Sequence, residues 1–583
     1  MVIFRHIRLR VLRVRDIFAA ETLNEQDMSL RKPAPRAEHF LSKLQKTMAD
    51  YWSELALCDY HGTRYTFGDL ARKIERIHIA LEDAGVKKGD KITLCGKNSA
   101  NWAVSFLSIS TYEAVVVPLL ADFLPDAVER LTDHSDSQVL FTDPELYAKL
   151  DIKNMPKLRL VISLADFMPL WGADEKLWKN YSSIDERFAA KYPKGFDASC
   201  LNYPVKNDKD LAVINYTSGS TGNPKGVMLR YECFSATIDF GQRFIPCDNR
   251  DNIVSMLPMG HIYGLTYEFL YPLISGVTVY YLGKTPSPSL LLQAMKEVKP
   301  YIVITVPLVL EKVYKSSIAP VLKKWYMKVL TAIPGVGGKI YKTIGEKLQG
   351  AFGGNVRTFV MGGAPLNPEV EKVFRKIKLP YTVGYGMTEA APLLAYEDWR
   401  AYAPGSCGKP VDCALLRIDS EDPEHVAGEI QAKGTNVCSG YYKYPEADSS
   451  VFTSDGWLHT GDLGTIDADG NVFIRGRSKS MILSANGQNI YPEEVEAIVN
   501  TRPYVAESVV VDRSTKLVAL VYLDAEAIRK AGLDEESISD IPERVRVEAN
   551  RHLPGYSQIT KVEVVTAPFE KTPKMSIKRF MYK

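Results

Sequence analysis

Eleven consecutive residues carry the strongest chemical signal in the sequence: Tyr216-Thr-Ser-Gly-Ser-Thr-Gly-Asn-Pro-Lys-Gly226. An apolar run, Leu211–Ile214, precedes them and reads as a buried strand. Glycines let backbone approach a ligand closely, and Thr217, Ser218, Gly219, Ser220, Thr221 and Gly222 together offer amide and hydroxyl donors to phosphate oxygens. Lys225 adds a point charge. The G-x-x-x-x-G-K-[ST] spacing of the common phosphate loop is absent, so this is a cradle of another kind. A plain surface turn would not need three glycines, four hydroxyls and a lysine in so short a stretch.

A second candidate is Pro258-Met-Gly-His-Ile-Tyr-Gly264. A lone histidine such as His261 is ordinarily a packing residue. The elements that must position these loops follow from hydrophobic pattern. Phe67–Ala84 is amphipathic, and short apolar runs such as Lys91–Leu94, Val139–Phe141 and Val303–Val306 suit strands buried on both faces. Helices between such strands imply βαβ units and parallel sheets. Asp455–Arg477 is punctuated by Gly and Asp and reads as short antiparallel strands. Beyond Arg477–Ser480 lies a unit of domain size, with a helix expected over Pro492–Asn500 and strands over Glu507–Val511 and Leu517–Leu523.

Length and composition bound the function. A chain of 583 residues exceeds one ordinary domain. The 72 basic and 70 acidic residues nearly cancel, giving +2, which excludes wholesale nucleic-acid binding. Eight cysteines are scattered without a C-x-x-C pair and read as reduced residues of a cytosolic protein. The most apolar runs, Ala103–Leu120 and Tyr301–Leu310, are interrupted or too short to span a membrane. The first sixteen residues hold five arginines and one acid without a signal-peptide core. Residues 1–37 are expected to be a disordered basic extension, or a start upstream of the true one at Met28 or Met48. The sharper alternative is an arm touching anionic headgroups, peripheral to the inner membrane face.

The loop Thr217–Gly226 resembles the phosphate-loop signature of the adenylate-forming (AMP-binding) superfamily, and five further segments resemble that family's signatures in order. The resemblance runs from about Glu38 to the end, and its general look is that of bacterial long-chain fatty acid–CoA ligases. It implies an α/β fold: a large N-terminal region of parallel α/β layers plus a small β-rich subdomain over 38–477, then a small mobile α+β C-terminal domain over 478–583 with its hinge at Lys479. In Gly362-Gly-Ala-Pro-Leu366, Gly363, Ala364 and Pro365 would lie along adenine. In Gly384-Tyr-Gly-Met-Thr-Glu389, Tyr385 and Gly386 would meet adenine, Thr388 the α-phosphate, and Glu389 a Mg²⁺ ion. Asp462 and Arg477 would hold the ribose. His261, Gly264 and Gly384 would border the acyl pocket, and Gly487, Gln488 and Asn489 the thiol channel. ATP, Mg²⁺ and CoA are the implied small-molecule partners.

The chemistry such a set could run is carboxylate attack on the α-phosphorus of ATP with expulsion of pyrophosphate. Cations must neutralise the charge gathered there. Lys225, Thr388 and Glu389 supply part of this. At the C-terminus, Lys571-Thr-Pro-Lys-Met-Ser-Ile-Lys-Arg579 departs from the family pattern: Ser576 stands where the adenylating lysine is expected. Lys574 and Lys578 lie two residues to either side and would share a strand face with it, so either is a candidate replacement. Ser480 stands where many members carry aspartate. Leu265, Phe269, Leu273, Val306, Leu308, Pro392, Leu393 and Leu394 suit an apolar acyl tunnel, and no charge falls between Glu389 and Glu397 to meet an amino-acid ammonium. Transfer to a carrier protein, or a weakly active ligase-derived binding protein, are the alternatives left open by the residues.

Overall fold

Apolar runs and amphipathic helices build the layers that the pattern implied. The computed structural model describes residues 36–204, 207–217, 224–283, 287–483, 489–513, 516–571 and 577–582. Outside them lie residues 1–35 of the basic extension, Ser218, Gly219, Ser220, Thr221 and Gly222 of the phosphate loop, Gly487, Gln488, Lys574 and Ser576.

A seven-stranded sheet runs in the order Pro169–Gly172, Leu160–Ser163, Ser137–Thr142, Lys91–Cys95, Val115–Leu119, Leu211–Thr217, Lys225–Arg230. The five inner strands are parallel and the two outer ones antiparallel. Val115–Leu119 is buried along its whole length, as a strand covered on both faces must be. Helix Phe67–Asp83 begins with a capping box in which Thr66 and Asp69 satisfy each other's backbone N–H. It packs against the wholly buried helix Ala100–Thr111. The run Ala103–Leu120 is therefore half helix and half strand.

A four-stranded sheet, Asn252–Ser255, Thr278–Tyr281, Leu55–Asp59, Arg64–Thr66, and a parallel three-stranded sheet, Ile302–Thr305, Thr358–Met361, Tyr381–Val383, complete the layers. An antiparallel meander follows: Ala414–Asp419, Gly428–Gly434, Leu458–Ile466, Val472–Arg477. All eight cysteines are free thiols. No helix among the described residues is long and apolar enough to cross a membrane. A chain beginning at Met48 would lose Phe40, Leu41 and Leu44, which are buried on helix Phe40–Asp50 together with Met48 itself.

The C-terminal unit has its own core. Strands Val505–Arg513, Lys516–Leu523 and Lys561–Val565 form one sheet. Val510, Ala519 and Val521 face helices Pro492–Val499 and Ile541–Asn550, while Val509, Val511, Val518 and Leu520 pack on the other side with Phe569. Lys571 and Ile577 pair antiparallel. Lys578 does not continue a strand, contrary to expectation. It caps the tight turn Arg579–Met581, because Arg579 is drawn back to Glu496 and Glu493.

The loop between Ser255 and Ile262, which carries His261, is held from several directions. Asn98 donates to the Leu257 carbonyl (2.7 Å) and accepts from Met259 N–H (2.9 Å), and Asn215 donates to the Gly260 carbonyl (3.0 Å). A side chain at Gly260 would sit 2.8 Å from the Leu119 carbonyl oxygen. Glu268, on the π-helical turn Leu265–Leu270, accepts from Met256 N–H (3.0 Å), Leu257 N–H (2.8 Å) and the Ser255 hydroxyl (3.1 Å) through Oε2. Its Oε1 has no hydrogen-bond partner among the described residues.

Burial raises the Glu268 pKa well above 4.5, so the folded protein favours the protonated acid. The unfolded chain ionises near 4.5, so this group costs stability progressively as pH rises past that value. Glu268→Gln keeps an acceptor for the loop and removes the titration. Its unfolding free energy should gain on wild type as pH rises above 4.5, by up to about 1.4 kcal/mol per pH unit until the buried carboxyl ionises in the folded state. Glu268→Ala also removes the titration, so its cost should be about 3 kcal/mol near pH 5, where two loop amides lose their acceptor, and should shrink as pH rises. Denaturant titrations at several pH values measure both.

Candidate active site

Thr217 and Lys225 face each other in register at the open end of the antiparallel pair Leu211–Thr217 and Lys225–Arg230. The phosphate loop therefore departs from and returns to one place. The strand Lys225–Arg230 is extended sideways by residues 439–442. Met228 N–H donates to the Gly440 carbonyl (3.0 Å) and Tyr442 N–H to the Gly226 carbonyl (2.8 Å). This brings in Tyr441. The Lys225 ammonium lies 5.0 Å from the Tyr441 ring centre and 5.1 Å from that of Tyr444. The Tyr441 hydroxyl donates to Glu389 Oε1 at 2.8 Å. One tyrosine thus joins the cation of the phosphate loop to the carboxylate expected to hold metal. Sequence reasoning missed Tyr441; the signal was the run Gly440-Tyr-Tyr-Lys-Tyr444, aromatic and basic together.

Glu389 sits on the single turn Thr388–Ala390, within the loop that connects the hairpin strands Tyr385–Gly386 and Leu393–Tyr396. Thr388 is buried. Gly386 is obligatory in this hairpin, since an added Cβ would lie 2.0 Å from the Pro392 carbonyl oxygen. Tyr385 is buried and donates to Asp462 Oδ2 at 2.8 Å, while Arg477 pairs with Asp462 Oδ1 at 3.0 Å. Burial pushes the Asp462 carboxyl up, and Arg477 and Tyr385 act against it. Gly363, at φ +80°, turns the chain beyond strand Thr358–Met361, and Ala364 and Pro365 are exposed beside it. These loops converge at the ends of their strands, where open α/β sheets place ligands.

A cavity of about 570 Å³ opens against the same loops. Gly362, Gly363, Gly384, Tyr385 and Gly386 form part of its wall, and His261, Tyr263, Tyr267, Ile304, Met387 and Leu393 are among the rest. No Asp, Glu, Lys or Arg lines it among the described residues. His261 Nδ1 accepts from Tyr263 N–H at 3.2 Å, which leaves Nε2 as the protonated nitrogen of the neutral ring. Gly264 is not in the lining. It lets the helix start fold onto the loop, with an added Cβ 2.8 Å from the Pro258 carbonyl oxygen.

Of the tunnel candidates, Pro392 and Leu393 line the cavity. Leu265, Phe269, Leu273 and Leu394 are instead fully buried core, and Leu308 is 48% exposed. The π-helical turn explains the difference: it presents Tyr267 to the cavity and packs Phe269 edge-on to Trp102 and Phe106. Val306 lies next to Gly363.

Other candidates stand apart. Lys578 pairs with Glu570 at 3.1 Å within the C-terminal unit. Lys479 is exposed on the turn after Arg477. Asn489 belongs to the short pair Ile482–Leu483 with Asn489–Ile490. No cluster of three or more His, Cys, Asp or Glu able to hold a metal exists among the described residues. The single carboxylate of Glu389 fits Mg²⁺, which binds through one or two carboxylates together with substrate phosphates.

The sequence profile of the AMP-binding enzymes matches residues 44–442, and that of the AMP-binding enzyme C-terminal domain matches residues 479–582. The chain belongs to the AMP-binding enzyme family. It is 28% identical over 576 residues to the long-chain-fatty-acid–CoA ligase FadD15 of Mycobacterium bovis, covering 91% of this chain and 92% of that protein. ATP-bound MatB from Rhodopseudomonas palustris superposes with a TM-score of 0.72 at 22% identity, covering 93% of this chain and 98% of MatB. The anthranilate CoA ligase AuaEII, in complex with anthranoyl-AMP, gives 0.74 at 20% identity, covering 94% and 97%. At those identities the structural likeness is one of fold.

In this AMP-binding enzyme, Tyr441→Phe keeps a ring beside Lys225 and deletes the hydroxyl that holds Glu389. The variant should melt as wild type does and bind Mg²⁺-ATP about tenfold more weakly in a calorimetric titration. Tyr441→Ala should weaken it further. Unchanged affinity in both variants would remove Tyr441 from the site.

Proposed function

We propose that this enzyme activates a carboxylic acid, and specifically a long-chain fatty acid, as acyl-AMP, and then passes the acyl group to the thiol of CoA. The observation that carries this reading is the shared wall. An uncharged cavity of about 570 Å³ is bounded by Gly363, Gly384, Tyr385 and Gly386, the residues that also form the nucleotide-side loops. An apolar chain seated there would present its carboxylate at those loops. The absence of lining charge among the described residues disfavours amino acids and diacids, whose second charged group would be stranded. The similarity to FadD15 over nearly the whole length supports the same substrate class.

In the first half-reaction a carboxylate oxygen forms a bond to the α-phosphorus of ATP, and the bond to pyrophosphate breaks. Lys225 stabilises charge on the departing phosphates. Tyr441 fixes Glu389, which would hold Mg²⁺; the ion would neutralise phosphate charge. Asp462, braced by Tyr385 and Arg477, accepts from the ribose hydroxyls. His261 stands at the cavity as a positioning group and not as a proton carrier, because the acid arrives already ionised. In the second half-reaction the CoA sulfur bonds to the acyl carbon, AMP leaves, and the thiol proton passes to solvent.

A unit of residues 478–583 turning about Lys479 would serve both halves in succession. In the present arrangement helix Pro492–Val499 and the residues after it rest on the large region through polar contacts. Asn367 donates to the Ala497 carbonyl (2.7 Å), Lys315 to the Asn500 carbonyl (2.7 Å), and Arg502 pairs with Glu369 (2.7 Å). Interfaces of this polar kind permit domain motion. Free thiols at all eight cysteines suit work in the cytoplasm.

The test is pyrophosphate release with Mg²⁺-ATP, across acids from acetate to oleate, with and without CoA. Release selective for long acids, reduced on the order of 100-fold in Lys574→Ala, is the expected result and makes Lys574 the displaced adenylating cation. Silence in wild type that Ser576→Lys restores would identify a disabled ligase fold kept for binding. Activity only when an acyl carrier protein replaces CoA would reassign the acceptor.

A further inference from the structure

The chain that leaves strand Ile302–Thr305, whose Ile304 lines the cavity, runs through the helical turns 307–322 into helix Trp325–Ala332. Gly335, at φ +79°, then turns it into helix Val336–Ala351. The two helices meet at Gly337, where an added Cβ would lie 2.3 Å from the Thr331 carbonyl oxygen. Helix Trp325–Ala332 has no buried residue, yet it is largely apolar. Trp325 is 77% exposed and Val329 56%, and Val321, Tyr326, Leu330 and Ile333 are exposed with them. An apolar face of this kind in water marks a docking surface.

Charge identifies its occupant. Between Val321 and Lys347 there are six lysines and one acid, Glu346, in a chain whose overall charge is only +2. Lys323, Lys324 and Lys328 flank Trp325 directly and are exposed. The chain's own first 35 residues carry seven basic and four acidic groups, the same sign as this surface, and do not complement it. An exposed apolar helix with a tryptophan and a lysine border is the pattern of an interfacial membrane helix.

We propose that helix Trp325–Ala332 docks the protein on an anionic lipid surface, with Trp325 at the headgroup level and Lys323, Lys324 and Lys328 against the lipid charge. The docking stands on this surface alone; only its purpose, collecting an acid dissolved in the bilayer, rests on the proposed function.

The experiment is cosedimentation of the full chain with vesicles of phosphatidylcholine, with and without about 30% phosphatidylglycerol. Binding to the anionic vesicles is expected. At about fivefold per lysine, the triple variant Lys323→Ser/Lys324→Ser/Lys328→Ser should bind on the order of 100-fold more weakly. Trp325→Ser/Val329→Ser should also lose binding, while brominated lipids quench tryptophan emission in wild type and much less in Trp325→Phe. Both surface variants should keep the Mg²⁺-ATP affinity of wild type, which shows that they fold. No binding to anionic vesicles overturns the proposal. So does binding that neither variant set changes, which would place the contact elsewhere. A doubled mass in the ultracentrifuge, lost in Trp325→Ser, would assign the face to a second copy of the chain instead. Docking without pyrophosphate release would sink the proposed function and leave this inference standing.

Discussion

Two backbone hydrogen bonds, Met228 N–H to Gly440 O and Tyr442 N–H to Gly226 O, tie the middle of the chain to a segment more than 200 residues later. Much of the site depends on that seam. Without it, the lysine at the end of the loop would lack the Tyr441 ring beside its ammonium. With it, Tyr441 stands between Lys225 and Glu389, and a cation and a carboxylate are held near each other without forming a direct ion pair. A direct pair would neutralise both groups before substrate arrived. An aromatic ring with a hydroxyl at its edge keeps them apart while giving each a partner.

The same economy governs the cavity. Its wall is built largely from glycines and from side chains whose polar ends are engaged elsewhere. Tyr263 donates to the Val360 carbonyl at 3.3 Å, and Tyr267 to the Thr237 carbonyl at 3.4 Å. An apolar ligand would therefore meet ring faces and methyl groups without stranding a polar atom. The loop bearing His261 is fastened by Asn98, Asn215 and Glu268, so its position is set by buried contacts. Docked binding energy spent at such a wall is not lost to rearranging it.

Much of this was legible in the sequence, for identifiable reasons. Strands buried on both faces announce themselves as apolar runs, and Lys91–Cys95 and Ser137–Thr142 fall where those runs do. Apolar stretches in the last hundred residues, Glu507–Val511 and Leu517–Leu523, fall within the sheet strands Val505–Arg513 and Lys516–Leu523. Signature loops were legible because their glycines are dictated by crowding, as at Gly386. Tyr441 was not, because its role arises from a pairing distant in sequence, and an aromatic run has no period that reveals one. The tunnel candidates are apolar residues near the signature loops, and apolarity does not separate cavity wall from core: the π-helical turn presents Tyr267 to the cavity and leaves Leu265 and Phe269 in the core. Lys578 left its strand because Arg579 answers Glu496, a contact between the chain's end and a helix eighty residues earlier.

Asp462 touches two things at once. It accepts from Tyr385 in the nucleotide wall and pairs with Arg477, two residues before Lys479. Removing Arg477 from that pair would leave a buried carboxyl with one partner fewer, so the posture of the segment after Arg477 and the state of Asp462, the proposed ribose acceptor, are energetically linked. If the C-terminal unit turns about Lys479, thermodynamics then makes the relation reciprocal. By whatever factor one arrangement of that unit tightens nucleotide binding, nucleotide must favour that arrangement by the same factor. AMP leaving at the end of the cycle would then bias which pose the enzyme offers to its next ATP.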